Sequence, residues 1–452
     1  MIRRAQRRVA VATVVGTTVE WYDFFLYASA AGLVFGAAYF EPAGSSVSVL
    51  LAFASVGISF LFRPLGAFIA GHLGDRVGRR TVLVTTLFMM GGATTLIGLL
   101  PTYASIGVAA PIVLVLLRIV QGLAAGGEWG GAVLMAVEHA EPRAHGAVGA
   151  FPQMGVPLGL LLASGMLAIM GVVAPGDAFL AWGWRAPFLL SVVLVAVGYV
   201  VRRSVEQSPV FRAIAARRER GSVPIVALFR RHALLVLLAA LTFAGNSAAG
   251  YMTTGGYIQA YATNPDGPVA LEREPVLLAV TASAVLWVAT TWFGGWISDR
   301  IGRKVTYAIG WIVLLAMVFP LFALVDTGEI GLLFLGLALF TVGIGLTYGP
   351  QAAFFAELFP ASVRFSGVSI SYALGAILGG AFAPAIATSL VQATGTTRSV
   401  ALYLAGMAVI ALIATLLLRD RRGMLLGPEH EEEQAHGAIT GSTRVLPRVV
   451  AR

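Results

Sequence analysis

Long runs of predominantly apolar residues recur along the whole chain, and no other feature constrains its fold as strongly. An α-helix crosses a hydrocarbon core about 30 Å thick with roughly 20 apolar residues. Such runs lie at 9–38, 47–71, 81–100, 107–137, 147–174, 183–201, 233–262, 275–297, 305–325, 330–357, 366–391 and 399–418. The sequence therefore predicts an all-α membrane protein with twelve transmembrane helices.

Composition excludes several classes of protein. Charged residues make up 12% of the 452 residues, whereas soluble globular domains carry about 25%. The chain has no cysteine, and its one lysine, Lys304, lacks the upstream glycine of a phosphate-binding loop. No GxSxG or HExxH motif is present. We therefore expect neither a soluble enzyme nor a nucleic-acid-binding protein, and no metal or cofactor site.

The basic residues are unevenly distributed between the predicted loops. The tails and the even-numbered loops hold 26 of the 31 Lys and Arg residues, whereas the odd-numbered loops and their margins hold only Arg185, Arg273 and Arg398. Because lysine and arginine are enriched in cytoplasmic loops, this distribution predicts cytoplasmic termini. The net charge of +9 thus reflects topology and does not indicate a nucleic-acid partner.

The chain contains an internal repeat. The segment GHLGDRVGRR begins at Gly71, and the similar segment GWISDRIGRK begins at Gly295, almost half the chain further on. We also pair Arg143 with Arg364, and Gly155 and Gly159 with Gly375 and Gly379. Repeats of this length predict two pseudo-symmetric six-helix bundles. The expected divisions are a first bundle at 1–201, a cytoplasmic linker at 202–231, a second bundle at 232–418 and a disordered cytoplasmic tail at 419–452.

These motifs resemble those of the major facilitator superfamily. The two repeated loops match its G-x-x-x-D-R-x-G-R-[RK] signature, and Arg118-Ile-Val-Gln-Gly122 matches its R-x-x-Q-G element. Other stretches resemble its metabolite:proton symporter branch, which includes proline/betaine, shikimate and 2-oxoglutarate transporters. They are VEWYDF at Val19, FRPLG at Phe62, GGEWGG at Gly126, PQMG at Pro152, GWRAPF at Gly183, SPVF at Ser208 and YGPQ at Tyr348. The resemblance implies a multi-pass transporter of a bacterial cytoplasmic membrane, and we expect a monomer.

Acidic residues inside the first span are the strongest candidates for proton coupling. A charged residue at the centre of a span costs about 2.5–3.5 kcal/mol on insertion scales and is a functional candidate by default. Glu20 and Asp23 share one helix face, and helix counting places Asp23 at about the depth of Arg118. We hypothesise that Asp23 pairs with Arg118 as a proton switch; the alternative is a fixed structural ion pair. Glu128 is interpreted as a proton-exit residue or as a latch to Arg79 or Arg80.

The resemblance also implies a cytoplasmic gate built from the repeated loops. The candidate gating residues are Gly71, Asp75, Arg76, Gly78, Arg79, Arg80, Glu138, Asp299, Arg300 and Arg303. The alternative interpretation is that the loop arginines only anchor the topology.

Candidate substrate-binding residues lie in both halves. Arg63 is the strongest candidate for an anionic group, because a guanidinium binds a carboxylate with two hydrogen bonds. The other candidates are polar or aromatic: Trp21, Tyr22, Gln153, Asn246, Tyr251, Tyr257, Tyr348 and Gln351. For each tyrosine, packing or a position at the membrane interface is the alternative.

Together these observations predict a secondary active transporter. We expect proton-coupled symport of a small organic acid or zwitterion by rocker-switch alternating access. Its expected partners are this solute, protons and the lipid bilayer. A proton-independent facilitator or an exporter is the alternative within transport, and a membrane-embedded enzyme and a sensor are the alternatives outside it. The enzyme alternative lacks a nucleophile, metal cluster or His–acid constellation within the spans, and the sensor alternative lacks a sizeable output domain.

Overall fold

The computed structural model describes residues 4–77, 79–126, 128–203, 224–253 and 256–440. Side chains are described for 10–44, 47–69, 84–126, 128–200, 228–250 and 256–440. Within these residues, ten helical segments are long and apolar enough to span a membrane. The first helix and a shorter apolar helix at Val84–Leu99 complete the predicted twelve.

The helices follow the predicted order, and several are interrupted. Their bounds are α1 Arg4–Ala30, α2 Ser45–Val77, α3 Arg79–Leu99, α4 Ala109–Ala125 with Glu128–Glu138, α5 His145–Val173, α6 Arg185–Arg203, α7 Pro224–Thr253 with Tyr257–Thr263, α8 Arg273–Ile301, α9 Arg303–Val325, α10 Ile330–Tyr348 with Gln351–Leu358, α11 Arg364–Gly375 with Ala383–Thr394, and α12 Arg398–Leu417. Helices α1–α6 form one bundle and α7–α12 the other. The all-α fold of two six-helix bundles is therefore confirmed.

Helix α5 lies at the interface between the bundles, because it packs along α1 of its own bundle and along α8 of the other. Glycine allows the first of these approaches. A Cβ added at Gly155 would lie 2.6 Å from Thr17, and one added at Gly159 would lie 2.7 Å from the backbone of Trp21. Real Cβ atoms are almost never found at such distances. The two backbones are thus in direct contact.

The bundles touch at both ends of the molecule. We call the end with the α2–α3, α4–α5, α8–α9 and α10–α11 connections the basic face, and the other end the opposite face. At the opposite face, Gly256 adopts a φ of +113°, and a Cβ there would overlap the Ala28 carbonyl oxygen of α1. A Cβ at Gly57 of α2 would lie 2.5 Å from the Ala381 carbonyl oxygen. The space between the bundles is therefore closed at this face.

The segment that follows α12 is folded as far as residue 440. The sequence predicts disorder from Arg419 onward, whereas the structure pairs Leu418 with Ile439 and forms a short helix at Glu431–Ala435. The side chain of Gln434 is buried and hydrogen-bonds the Leu425 and Gly427 carbonyls. Residues 441–452, and residues 204–223 of the predicted linker, lie outside the described residues.

Candidate functional site

A small cavity lies between the two bundles near the middle of the spans. Its volume is about 20 Å³, which is enough for about one water molecule. The lining is largely aromatic and comes from both bundles: Trp21, Phe25, Val156, Phe243, Asn246, Ser247, Gly250, Trp287, Tyr348 and Tyr372. Any metabolite is larger than this volume, so the cavity in this conformation is too small to hold one.

An aromatic stack joins the bundles beside this cavity. Trp129 of α4 lies parallel to Tyr372 of α11, with ring centroids 3.6 Å apart, and Tyr372 stacks in turn on Phe243. The Trp129 indole donates to Gln153, which donates to the Tyr348 carbonyl of the other bundle at 3.1 Å. Stacked aromatic pairs contribute about 0.5–1.5 kcal/mol beyond the burial of their area. These contacts hold the bundles together around the cavity.

Arg63 lies in an aromatic environment close to the cavity. Its guanidinium carbon is 4.4 Å from the Phe24 ring centroid, 4.5 Å from that of Phe60 and 5.6 Å from that of Trp21. The side chain is buried, and its Nε and Nη2 have no hydrogen-bond partner within the part of the chain that is described. Cation–π contacts stabilise the charge, but these two donors remain available to a ligand.

Two further hydrogen-bond donors, both in the cavity lining, are buried without a partner. The Ser247 hydroxyl and the Trp287 indole nitrogen are buried without a hydrogen-bond partner among the described residues. Buried polar groups in native proteins are usually paired, and each exception calls for an explanation. These two donors are therefore candidates for binding a polar solute. The side-chain amide of Asn246, in contrast, already has partners, because it donates to the Thr347 hydroxyl and to the Ile344 carbonyl.

The acid pair of α1 is buried beside this region. Asp23 accepts a hydrogen bond from Ser191 of α6 at 2.7 Å and interacts with the Thr94 hydroxyl of α3. Glu20 interacts electrostatically with both Asp23 and Tyr348. The sequence places Glu20 and Asp23 on one helix face, and the structure directs that face toward α3, α6 and the cavity.

Arg118 is connected to Asp23 through a chain of hydrogen bonds. The Arg118 guanidinium donates to Gln121 at 2.7 Å, Gln121 donates to Thr94 at 2.8 Å, and Thr94 interacts with Asp23. Arg118 also donates to the Ser59 hydroxyl and the Val56 carbonyl of α2. Asp23 and Arg118 also interact electrostatically. Their proposed action as a proton switch stays a prediction, and the structure adds Gln121 and Thr94 as two polar side chains that connect them.

At the basic face, Asp299 of α8 hydrogen-bonds the first turn of α5. Its two carboxylate oxygens accept the backbone N–H groups of Gly146 and Ala147, each at 2.8 Å, and Arg303 donates to it at 2.7 Å. A carboxylate at a helix N-terminus satisfies unpaired N–H groups and interacts favourably with the helix dipole. Because α5 belongs to the first bundle and α8 to the second, this contact closes the basic face.

A buried network continues from Arg303. Its guanidinium donates twice to Glu357 of α10, at 3.0 and 3.1 Å, and the imidazole of His145 lies 3.0 Å from the same carboxylate. The Gly423 N–H of the C-terminal segment also donates to Glu357. Of these contacts, only the one between His145 and Glu357 joins the two bundles.

A second ion pair between the bundles links Glu138 of α4 to Arg364 of α11, with 3.9 Å between the charged atoms. The C-terminal segment surrounds Arg364, which donates to the Leu426 carbonyl and to Gln434. Arg421 fixes the same segment by donating to the Gln434 and Glu433 carbonyls. Burial lowers the pKa of Arg421 to about 10, although the Glu433 and Glu357 carboxylates oppose this shift.

Several predicted residues lie away from the cavity. The Tyr22 hydroxyl donates to the Pro187 carbonyl and joins α1 to α6, Tyr257 stacks on Tyr261 at the opposite face, and Arg300 lies over the Trp296 ring at the surface. Gln351 is buried near the start of the second α10 segment, and its amide atoms have no partner among the described residues. Glu128 begins the second segment of α4 and is half-buried.

The second repeated loop is described in full, whereas the first is described only in its backbone, Gly78 excepted. The side chains of Gly71, Asp75, Arg76, Gly78, Arg79, Arg80 and Tyr251 lie outside the described residues. The latch predicted between Glu128 and Arg79 or Arg80 stays a prediction.

The comparison with family models identifies the chain. Residues 13–373 match the model of the major facilitator superfamily, and a second match covers 278–450. The chain belongs to the major facilitator superfamily. Its relatives are transporters rather than enzymes, which agrees with the expectation from the sequence.

Three curated relatives cover nearly the whole chain. The inner membrane metabolite transport protein YhjE of Escherichia coli is 39% identical, with 92% of this chain and 95% of the relative covered. The shikimate transporter of E. coli is 37% identical, with 92% and 94% covered. The proline/betaine transporter of Salmonella typhimurium is 30% identical, with 92% and 83% covered. The chain is thus a metabolite transporter of this superfamily.

Solved structures show the same fold. The proton:xylose symporter XylE bound to 6-bromo-6-deoxy-D-glucose matches with a TM-score of 0.74 at 17% identity, over 96% of this chain and 99% of the other. A partially occluded inward-open form of XylE matches with a TM-score of 0.68 at 15% identity, over 91% and 98%. At this identity the match establishes the arrangement of helices.

Sequence reasoning misses part of the site. It does not identify Trp129 and Tyr372 of the aromatic stack, or His145 and Glu357 of the basic-face network, as functional. For His145 and Glu357 a signal exists, because Glu138 and Glu357 are each followed by a basic residue seven positions later.

Proposed function

We propose that the protein is a proton-coupled symporter of a small organic acid or zwitterion. One observation carries the proposal: two buried carboxylates, Glu20 and Asp23, lie within electrostatic reach of each other, and Glu20 also interacts with the cavity residue Tyr348. Intramembrane carboxylates beside a substrate cavity are typical of proton relays in transporters. The named substrates of the relatives, shikimate and proline or betaine, are small solutes of this chemistry.

Arg63 is the proposed site for the substrate carboxylate. Its two available donors match the bidentate geometry of a carboxylate. The aromatic rings of Trp21, Trp287 and Tyr348 suit the remainder of the solute, whether it is apolar or carries a quaternary ammonium group. The chemistry of the cavity therefore supports both an organic acid and a zwitterion.

The proposed transport cycle alternates access between the two faces. The bundles 1–201 and 232–418 rock about the cavity, so that the contacts at the basic face and those at the opposite face open in turn. We assign the basic face to the cytoplasm of a bacterium, because 26 of the 31 Lys and Arg residues belong to the tails and loops that the sequence predicts on that side of the spans. The proposed functional unit is a monomer in the bilayer.

Uptake into proteoliposomes tests the proposal. The panel is proline, glycine betaine, shikimate, 2-oxoglutarate and citrate, each with and without an inward proton gradient. We expect gradient-driven accumulation of one solute. The Asp23→Asn variant should lose this accumulation and keep solute exchange, because the amide retains the shape of the site but cannot release a proton.

The matched control is Asp326→Asn, which removes a carboxylate at the opposite face that binds Tyr261 and Thr397. This variant should retain accumulation. Equilibration that ignores the gradient would instead identify a facilitator, and Asp23 would then be structural. Full proton-dependent accumulation in Asp23→Asn would contradict the coupling role.

A further inference from the structure

The two ion pairs that join the bundles at the basic face are reciprocal. Glu138 of the first bundle binds Arg364 of the second, and Glu357 of the second binds His145 of the first. The separation along the sequence between Glu138 and Glu357 equals that between His145 and Arg364. Each half therefore carries an acid and, seven positions later, a base, and each acid binds the base of the other half.

The same spacing relates the helices that carry the acids. Gly126 of α4 and Gly345 of α10 are as far apart in the sequence as Glu138 and Glu357. A Cβ at Gly126 would overlap the Arg63 carbonyl of α2, and one at Gly345 would overlap Thr290 of α8. Equivalent glycines thus face the second helix of each half. This register makes His145, rather than Arg143, the equivalent of Arg364.

The repeat places a permanent cation in one pair and a titratable base in the other. Arginine keeps its charge at all physiological pH values, whereas imidazole groups ordinarily titrate near pH 6.5. We propose that His145 is a proton-binding residue of the basic-face gate and that its protonation strengthens closure by giving Glu357 a cationic partner across the bundle interface. Closure is then strongest at acidic pH and weakens as the pH rises.

The surroundings of His145 support this assignment. Arg303 from α9, Asp299 from α8 and Arg421 from the C-terminal segment are the charged groups around the His145–Glu357 pair. Glu141 and Arg143 lie on the segment of His145 itself. On α4, Glu138 faces Arg364 instead. Arg303 donates to both Glu357 and Asp299, at 2.7–3.1 Å. The imidazole is nevertheless the partner of Glu357 that comes from the other bundle.

The absence of cysteine from the chain allows a substrate-independent test. Ser369 of α11 is buried against Gly130 of α4, where a Cβ built on the glycine would overlap the serine hydroxyl. In an S369C background, a thiol reagent reaches this site when the bundles separate. Labelling rates of purified protein in nanodiscs, at about pH 8 and about pH 5.5, are divided by those of an exposed S362C control, which accounts for the general rise of thiol reactivity with pH. The S369C protein that also carries His145→Gln accounts for the pKa of the thiol introduced by S369C itself.

We expect the normalised rate to fall about fivefold to tenfold between the higher and the lower pH, because a hydrogen bond to a charged group is stronger than a neutral one. The His145→Arg variant should label slowly at both pH values, and His145→Gln should label rapidly at both. A pH dependence that persists in His145→Gln assigns the titration to another group and overturns the proposal. A rate that does not change with pH in the His145 protein overturns it as well.

Discussion

Asp299 provides the sharpest test of how the basic face is held closed. Its two oxygens bind two backbone N–H groups of the other bundle at 2.8 Å. Hydrogen bonds to charged groups contribute about 1.5–3 kcal/mol each. In Asp299→Asn one amide oxygen still accepts, but the charge is lost and an NH₂ group faces a backbone donor. We therefore expect closure to weaken by about 2–3 kcal/mol, which is about a 30- to 150-fold rise in the open population.

The S369C reporter measures this change, because its labelling rate follows the open population while opening is fast relative to labelling. Asp420→Asn is the matched control. Asp420 also accepts two backbone N–H groups, from Lys304 and Arg422, each at 3.1 Å. All three residues belong to the second bundle and its C-terminal segment, so this loss leaves the contact between the bundles intact. Equal acceleration by both variants would refute the reasoning, as would no acceleration in Asp299→Asn.

Two further predictions follow from close packing and from buried charge. Gly256→Ala should weaken closure at the opposite face, because its φ of +113° disfavours a side chain and the new Cβ would overlap the Ala28 carbonyl oxygen. The assay is the labelling of a cysteine placed at the cavity residue Ser247. An impermeant reagent added at the opposite face should label it faster in the variant. Arg118→Lys should lower the thermal unfolding midpoint by several degrees, because an ammonium group cannot reach Gln121, Ser59 and the Val56 carbonyl together. An unchanged midpoint would contradict the structural role of Arg118.

The number and order of the spans could be predicted because they depend on local quantities. About 20 apolar residues per helix and the arginines between the helices are visible in any sequence window. The depth of Asp23 and Arg118 follows equally from the helical rise of about 1.5 Å per residue. Depth does not determine the direction of a side chain. Which groups face Asp23 depends on how α3 and α6 rotate against α1, and Thr94 and Ser191 could therefore not be predicted.

The C-terminal segment illustrates a different limit. Its composition is polar, which favours disorder when the segment is considered alone. In the structure, the buried cation Arg364 needs acceptors, which the Leu426 carbonyl and Gln434 supply, and Glu357 accepts the Gly423 N–H. A buried charge without partners is far more costly than an ordered segment. Contacts with charged residues elsewhere in the chain thus contribute to the order of residues 419–440, and composition alone does not reveal them.

Helix α5 connects the acid pair to the basic-face gate. Its glycines hold it directly against the backbone of α1, one turn from Glu20 and Asp23, so that α1 cannot slide or rotate without moving α5. Asp299 accepts two backbone N–H groups from the first turn of the same helix, and His145 at its N-terminus binds Glu357. We predict that a change of charge at Asp23 that alters the packing of α1 displaces α5, and so acts on Gly146 and Ala147 of its first turn, which bind Asp299. Coupling between a proton site and a gate is established when a change at one shifts the open population at the other, so the labelling rate of S369C in Asp23→Asn tests this prediction.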